Sequence, residues 1–210
     1  MNLKNVAIGA LATALLVSCG GEKQVDNKQT DTTKATEEVA VVSYTVNTEE
    51  SKVAWEGHTS GVQVYGHNGV ISLSEGSLEV KGSEITGGSF TIDMSTIAPL
   101  DSGYSEEHPK ESLIGHLSNG DFFLVDSFPT SSFIIKSMAE GKIVGDLTVR
   151  GITHEETVEN VVVETTETGV IATGKLVFDR QKYDVSWAHF VKDVLLANDI
   201  TLEIAIVATK

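Results

Sequence analysis

Six histidines and thirty acidic residues are the side chains best suited to acid–base chemistry or metal binding in this chain. Neutral imidazoles and carboxylates together make zinc sites and general bases. No His-x-x-x-His or His-Glu-x-x-His pattern occurs, so no helix is predicted to present two metal ligands on one face. His58 and His67 are the pair that a hairpin could bring together, and a histidine-dependent metal site or enzyme is one alternative. The histidines are His58, His67, His108, His116, His154 and His189.

A serine nucleophile is not indicated either. The chain contains no Gly-x-Ser-x-Gly sequence, which in hydrolases places the serine on a sharp turn between a strand and a helix. The sequence therefore predicts no catalytic residue and no cofactor.

Cys19 is the only cysteine, and its surroundings point to a covalent lipid modification. It ends the sequence Leu16–Cys19 (LVSC) after an apolar run, Val6–Val17, that is preceded by Lys4. At about 1.5 Å per helical residue this run is too short to cross a hydrocarbon core of about 30 Å, so it indicates a signal h-region. The order resembles the bacterial lipobox, whose cysteine receives a diacylglyceryl group. We expect residues 1–18 to be a lipoprotein signal peptide and Cys19 to hold the exported protein on a membrane, facing the periplasm or the cell surface.

Residues 19–40 are the expected tether between the lipid anchor and a folded domain of residues 41–210. The tether is rich in Thr, Lys and Glu and has too few large apolar side chains to offset the entropy of ordering. Removing residues 1–18 would remove only the charge of Lys4 and change the formal net charge from −15 to −16. This charge excludes nucleic acid as a partner and leaves the anchor as the expected membrane contact.

From Val41 onward the sequence alternates between apolar and polar residues, which is typical of β-strands with one buried face. The last strand is the clearest, because four aliphatic residues recur at every second position. Frequent glycines favour a closed, coiled barrel wall over a flat sandwich. The predicted inward sets are Ile200, Leu202, Ile204 and Ile206; Val53 and Trp55; Leu78 and Val80; Phe90, Ile92 and Met94; Leu147 and Val149; Leu176 and Phe178; and Tyr183, Val185 and Trp187.

Two local signals complete the prediction of secondary structure. Ser105–Leu117 opens with Ser, followed by two Glu and Pro109, and predicts a short capped helix across one barrel end. Thr148 and Val149 suit a strand and Gly151 can adopt positive φ, so this region predicts a hairpin.

Three further stretches resemble the YceI-like family of exported bacterial proteins. They are Leu113–Phe133 (LIGHLSNGDFFLVDSFPTSSF), Gly145–His154 (GDLTVRGITH) and Phe178–Val185 (FDRQKYDV). Lys52–His58 (KVAWEGH) and Tyr65–Gly69 (YGHNG) are also similar to family members. The resemblance implies an all-β fold, an extended antiparallel lipocalin-like barrel. It also implies that the barrel interior binds or carries a long apolar molecule, such as a polyisoprenoid or a fatty-acid derivative.

A barrel of about eight strands is wide enough either to fill itself with side chains or to hold one small ligand. A filled barrel would instead suit a non-catalytic interaction or stress-response module at the cell surface. The sequence does not choose between these two interiors, and it does not indicate an oligomeric state. The expected ligand-lining residues are Val53, Trp55, Phe90, Ile92, Leu147, Val149, Phe178, Trp187, Leu202 and Ile204.

Overall fold

The computed structural model describes residues 39–61, 65–187 and 194–210. Within them the chain forms ten strands, one α-helix and one 3-10 helix. The strands are β1 (Val41–Val46), β2 (Lys52–Gly61), β3 (Gly66–Lys81), β4 (Glu84–Pro99), β5 (Thr130–Ala139), β6 (Lys142–Val149), β7 (Ile152–Thr165), β8 (Gly169–Asp179), β9 (Val194–Leu196) and β10 (Asp199–Thr209). The α-helix α1 is Lys110–Ser118 and the 3-10 helix is Arg180–Tyr183.

Eight of these strands, β2 to β8 and β10, close into one antiparallel barrel. Each strand from β2 to β7 pairs with the next along the chain, and β10 pairs with β8 on one edge and with β2 on the other. The closing register places Leu202 opposite Trp55 and Ile204 opposite Val53. Strand β1 continues the position of β2 at one end, where it pairs with β3 and β10. The predicted all-β, lipocalin-like antiparallel barrel with a short helix near one end is confirmed.

The two ends of the barrel differ in what covers them. The helical end carries α1, the 3-10 helix and β9, which pairs with the last residues of β2. The hairpin end carries the tight connections between β3 and β4, β5 and β6, and β7 and β8. Val41 lies at the hairpin end, because it is the register partner of Lys81 beside the first of these turns.

Alternating burial along the strands produces the core. In β10, Ile206 and Ala208 are buried, and Ile200, Leu202 and Ile204 pack against the core. Leu78, Val80 and Leu176 are at most 2% exposed, so the inward sets predicted for the strands are confirmed. Burying one such aliphatic side chain contributes roughly 1.5–3 kcal/mol. Residues 41–210 contain no cysteine, so no disulfide adds to this packing.

The hairpin predicted around Gly151 is confirmed. Val149 and Ile152 are register partners, and the two residues between them, Arg150 and Gly151, have φ of 51° and 73°. Two successive positive φ values are typical of the type I′ turn, whose twist matches that of the flanking strands. Arg150 also donates to the carbonyl oxygen of Phe122 at 2.8 Å, which attaches the turn to the segment after α1.

The predicted helix Ser105–Leu117 begins later than its polar start suggested. Helix α1 begins at Lys110 with Pro109 as its N-cap, and Ser105 instead forms a separate turn, in which its Oγ accepts from the His108 backbone N–H at 3.1 Å. The residue before a proline is disfavoured in helical conformation, so the helix starts only after Pro109. No helix in the described part of the chain has the length and apolar character to span a membrane.

The prediction of a strand through Tyr183, Val185 and Trp187 is wrong. Arg180–Tyr183 is a 3-10 helix, and Asp184 ends it in the left-handed conformation with φ of 58°. A left-handed residue cannot continue a strand, so the alternation of these three residues has another cause. Tyr183 and Val185 are nonetheless completely buried, because this segment packs over the helical end of the barrel.

Candidate functional site

Two adjoining apolar cavities occupy the barrel interior. The larger, of about 230 Å³, lies toward the helical end, and the smaller, of about 90 Å³, lies toward the hairpin end. Their linings share four side chains, which we call the waist. The waist is formed by Val53, Ile92, Leu147 and Leu202. The described interior is therefore hollow, not filled by its own side chains.

All ten residues expected to line a ligand line one of these cavities. Strand alternation turns nine of these side chains toward the interior. The tenth, Trp187, lies in the segment after the 3-10 helix. Whether they contact a ligand stays a prediction. Phe90 and Ile204 line the smaller cavity alone. The other eight line the larger cavity: Val53, Trp55, Ile92, Leu147, Val149, Phe178, Trp187 and Leu202.

Trp55 is held in a fixed orientation on the cavity wall. Its indole N–H donates to the carbonyl oxygen of Val70 at 3.2 Å. Its register partner on β3 is Gly69, where a Cβ would lie 2.6 Å from the indole ring and 2.2 Å from the carbonyl oxygen of Ala98. A glycine is required there because no side chain fits beneath the ring. Both tryptophans of the chain, Trp55 and Trp187, thus line the larger cavity.

Helix α1 and the residues after it cover the helical end of the larger cavity. Leu113, His116 and Leu117 of α1 line the cavity, although the sequence analysis did not predict them as lining residues. The His116 ring packs edge-on against Phe122 and Trp187, with ring centroids 4.9 and 4.8 Å apart. Such edge-to-face contacts orient aromatic rings, so His116 links the helix to two other parts of the cover.

A polar cluster lies at the rim of the same cavity. His67 Nδ1 is 3.0 Å from Asp101 Oδ2, and Tyr104 donates to Asp101 Oδ1 at 3.0 Å. Burial acts to raise the pKa of Asp101, but hydrogen bonds from His67, Tyr104 and the Asn68 backbone outweigh it and lower that pKa. Partial burial and the bond to Asp101 raise the pKa of Tyr104 to about 12. The cluster ties the start of β3 to the segment after β4.

Arg180 places a buried cation in the cavity wall. It is 2% exposed, and its guanidinium donates to the carbonyl oxygens of Ala197 at 3.0 Å, Leu196 at 3.3 Å and Val185. Burial lowers its pKa, which nearby Asp179 partly offsets. Arginine stays charged even so, because its pKa is normally above 12. Arg180 belongs to the family motif Phe178–Val185, but its place in the cavity wall was not predicted from the sequence.

The wall behind the cavity contains a second buried polar group. Glu156 is 9% exposed and accepts hydrogen bonds from the Tyr183 hydroxyl at 3.1 Å and from Lys182 at 3.3 Å. Burial and the carboxylate of Glu156 raise the pKa of Tyr183 far above its usual range. Glu156 does not line either cavity, so these contacts are part of the wall.

The expectation that His58 and His67 could meet across a hairpin is wrong. The register pairs His58 with Gly66 and His67 with Gly57, so the two imidazoles leave opposite faces of the sheet. Within residues 39–61, 65–187 and 194–210, no group of three or more His, Cys, Asp or Glu side chains could hold a metal ion. His189 and Cys19 lie outside the described residues.

The family model for the YceI-like domain matches residues 44–208, which is most of the barrel described above. The chain belongs to the YceI-like family. A family relative, a UPF0312 protein of Staphylococcus aureus strain USA300, is 37% identical over 103 residues. That match covers 44% of this chain and 59% of the staphylococcal protein.

Solved structures show the same fold at low sequence identity. BcnA of Burkholderia cenocepacia superposes with a TM-score of 0.63 at 19% identity, covering 78% of this chain and 99% of BcnA. A polyisoprenoid-binding domain from Saccharophagus degradans, implicated in plant cell wall breakdown, gives a TM-score of 0.50 at 9% identity. This second likeness covers 79% of this chain and 97% of that domain. At these identities the likeness concerns the fold.

Proposed function

We propose that this protein is an exported lipoprotein that binds or carries one long-chain apolar molecule, such as a polyisoprenoid or a fatty-acid-like lipid, inside its barrel. The apolar lining of the two adjoining cavities is the observation that carries the proposal. A ligand long enough to pass the waist would contact side chains from both halves of the barrel. In this proposal the protein is a binding protein and performs no catalysis.

The expected affinity follows from the apolar surface of the ligand that binding removes from water. Each buried methylene contributes roughly 0.8 kcal/mol, so about ten methylenes contribute roughly 8 kcal/mol before the cost of ordering the chain. Before that cost is subtracted, this free energy corresponds to about micromolar binding, which is therefore the upper limit of the affinity for a chain of this length. The polyisoprenoid-binding neighbour from Saccharophagus degradans supports the choice of ligand class.

The location of the protein is a separate part of the proposal. We infer that Cys19 carries the lipid, that residues 19–40 act as a tether and that the folded domain faces the periplasm or the cell surface. Two or three acyl chains are needed for stable anchoring, which a bacterial lipoprotein has. The acidic character of the chain supports membrane contact through the anchor alone.

The test is to identify what the domain carries after purification. Residues 41–210, expressed in bacteria and extracted with organic solvent, should release a stoichiometric apolar compound that mass spectrometry detects. A variant with the larger cavity narrowed, Val149→Trp, should release less of it, while the surface variant Val177→Trp should release the normal amount. Empty extracts from several preparations, together with no binding of added isoprenoids, would favour an interaction module instead.

A further inference from the structure

The distribution of charge around the cavities indicates which end of a ligand lies where. The chain has 30 acidic residues, yet no Asp or Glu is among the described residues that line either cavity. Among the described residues that line the larger cavity, Arg180 is the one with a permanently charged basic side chain. The smaller cavity is lined by aliphatic and phenylalanine side chains with Thr173 and Gly174. The interior therefore changes from wholly apolar to cationic along its length.

The positive charge of Arg180 is not neutralised by a carboxylate contact. In the described part of the chain, its three hydrogen-bond acceptors are all backbone carbonyls, and no Asp or Glu oxygen lies within 4.0 Å of it. A carbonyl carries only a partial negative charge, so the guanidinium keeps a net charge in an apolar environment. Burying such a charge is costly unless an anion pairs with it.

Arg180 also retains donors suited to an anion. A guanidinium has five N–H groups in a planar fork that matches carboxylate and phosphate oxygens. The described contacts use the N–H of Nε and one N–H on each terminal nitrogen. One N–H on each terminal nitrogen is thus not used by these contacts.

From these observations, and resting on the proposed binding function, we propose that the ligand is a single-chain anionic amphiphile. Its carboxylate or phosphate group lies beside Arg180 at the helical end, and its tail runs past the waist toward the hairpin end. Arg180 is then a residue that determines specificity for the headgroup. A charge-assisted hydrogen bond of this kind should favour the anion over a neutral headgroup about ten-fold or more.

The test compares headgroups on one chain length with the full-length wild-type protein. The probes are hexadecanoic acid, hexadecyl phosphate, hexadecanol and methyl hexadecanoate, and quenching of Trp55 and Trp187 reports binding because both line the larger cavity. One or both anions should bind at least ten-fold more tightly than the alcohol and the ester, and the tighter anion identifies the headgroup. Equal affinities for all four would overturn the inference and leave the binding function intact. No binding by any of them would contradict the binding function itself.

Two variants and a positional probe test the role of Arg180 directly. Arg180→Gln should lower the affinity for the anions to that for hexadecanol, whereas Arg180→Lys should keep the preference for anions. If neither variant folds, brominated acids with the wild-type protein decide the orientation. 2-Bromohexadecanoic acid should quench the tryptophans more strongly than 16-bromohexadecanoic acid, because its bromine lies beside the headgroup. Stronger quenching by the 16-bromo acid would place the tail at the helical end and refute the inference.

Discussion

The hydroxyl group of Tyr183, which has no exposed surface, donates a 3.1 Å hydrogen bond to the nearly buried carboxylate of Glu156. This bond joins the 3-10 helix to β7 where β7 and β8 are not paired. Strands β7 and β8 are paired from Val158 opposite Leu176 onward, and the earlier part of β7 faces the 3-10 helix instead. Tyr183 fills this region and packs edge-on against Phe178 of β8, with ring centroids 5.4 Å apart.

Removing this hydroxyl should destabilise the domain. In Tyr183→Phe, Glu156 keeps the ammonium of Lys182 but loses a donor in a buried site, which should lower the free energy of unfolding by about 1–2 kcal/mol. Urea denaturation measures the change. Tyr44→Phe is the matched control, because Tyr44 is also buried and its hydroxyl makes no hydrogen bond within the described residues. Equal effects of the two substitutions would contradict a specific role for the Glu156 contact.

A bulky residue at the waist should separate long ligands from short ones. Leu202 belongs to the waist, so Leu202→Trp should weaken binding of a sixteen-carbon acid at least ten-fold and leave an eight-carbon acid, which fits the larger cavity alone, nearly unchanged. Competition binding with the two acids measures this ratio. The control is Val177→Trp on the outer face of β8, where the wild-type side chain is 44% exposed. An equal loss for both acids would mean that ligands do not pass the waist.

Two glycines should respond to alanine in opposite directions. Gly151 has φ of 73°, and a Cβ there would lie 2.9 Å from the Phe128 ring, so Gly151→Ala should cost about 1–2 kcal/mol of stability. Gly115 lies in α1 with nothing within 4 Å of its Cβ position, so Gly115→Ala should raise stability by roughly 0.5–1 kcal/mol. Thermal denaturation of the two variants distinguishes them. The type I′ turn would be in doubt if Gly151→Ala were as stable as the wild type.

The rim cluster should contribute to stability over a limited pH range. The pKa of Tyr104 is raised to about 12 in the fold, so its hydrogen bond to Asp101 stabilises the folded state below the unfolded pKa of about 10 and is lost between about pH 10 and 12. The stability difference between the wild type and Tyr104→Phe should therefore shrink over that range. Urea denaturation at several alkaline pH values measures it, and a constant difference would contradict the assignment.

The stability that Asp101 contributes in the same cluster depends on pH in the opposite direction. The pKa of Asp101 is lowered in the fold, so its contribution is fully present above its unfolded value of about 4 and is lost as pH falls through the lower folded pKa. The stability difference between the wild type and Asp101→Asn should decrease with acidification over that range. Any increase would show that the carboxylate is not the stabilising form.

Substitution of the lipobox cysteine should release the protein from membranes. Cys19→Ala removes the proposed lipid attachment site and should move the protein into the soluble exported fraction. Fractionation of cells followed by detection of the protein measures the distribution. Thr32→Ala, in the proposed tether, should leave it on the membrane. Unchanged fractionation of Cys19→Ala would exclude the anchor.

Strand residues of the cavity could be predicted because alternation decides which face they occupy. Leu202 and Ile204 follow this rule, and the closing register with β2 keeps them inward. The alternation of Tyr183 and Val185 has a different origin, since left-handed Asp184 turns the chain and packing over the barrel end buries both neighbours. A period of two in a short segment cannot distinguish these cases.

The cover of the cavity could not be predicted from local pattern. The late start of α1 follows from Pro109, which the sequence displays, but the position of His116 against Trp187 depends on a long-range contact. Arg180 is similar, because its acceptors at Leu196 and Ala197 come from β9 and the residue after it. Such contacts between distant segments leave no periodic signal in the sequence.

The register of Val41 with Lys81 determines the end of the barrel at which the first strand begins. Strand β1 begins at the hairpin end, whereas Tyr65 and Gly66, the exposed residues that border the larger cavity, lie at the helical end. Strand β3 alone extends about 50 Å between these two ends. The exposed border of the larger cavity and the start of the first strand therefore lie at opposite ends of the barrel. A ligand that reached the interior past Tyr65 and Gly66 would therefore not meet the start of β1 on its way.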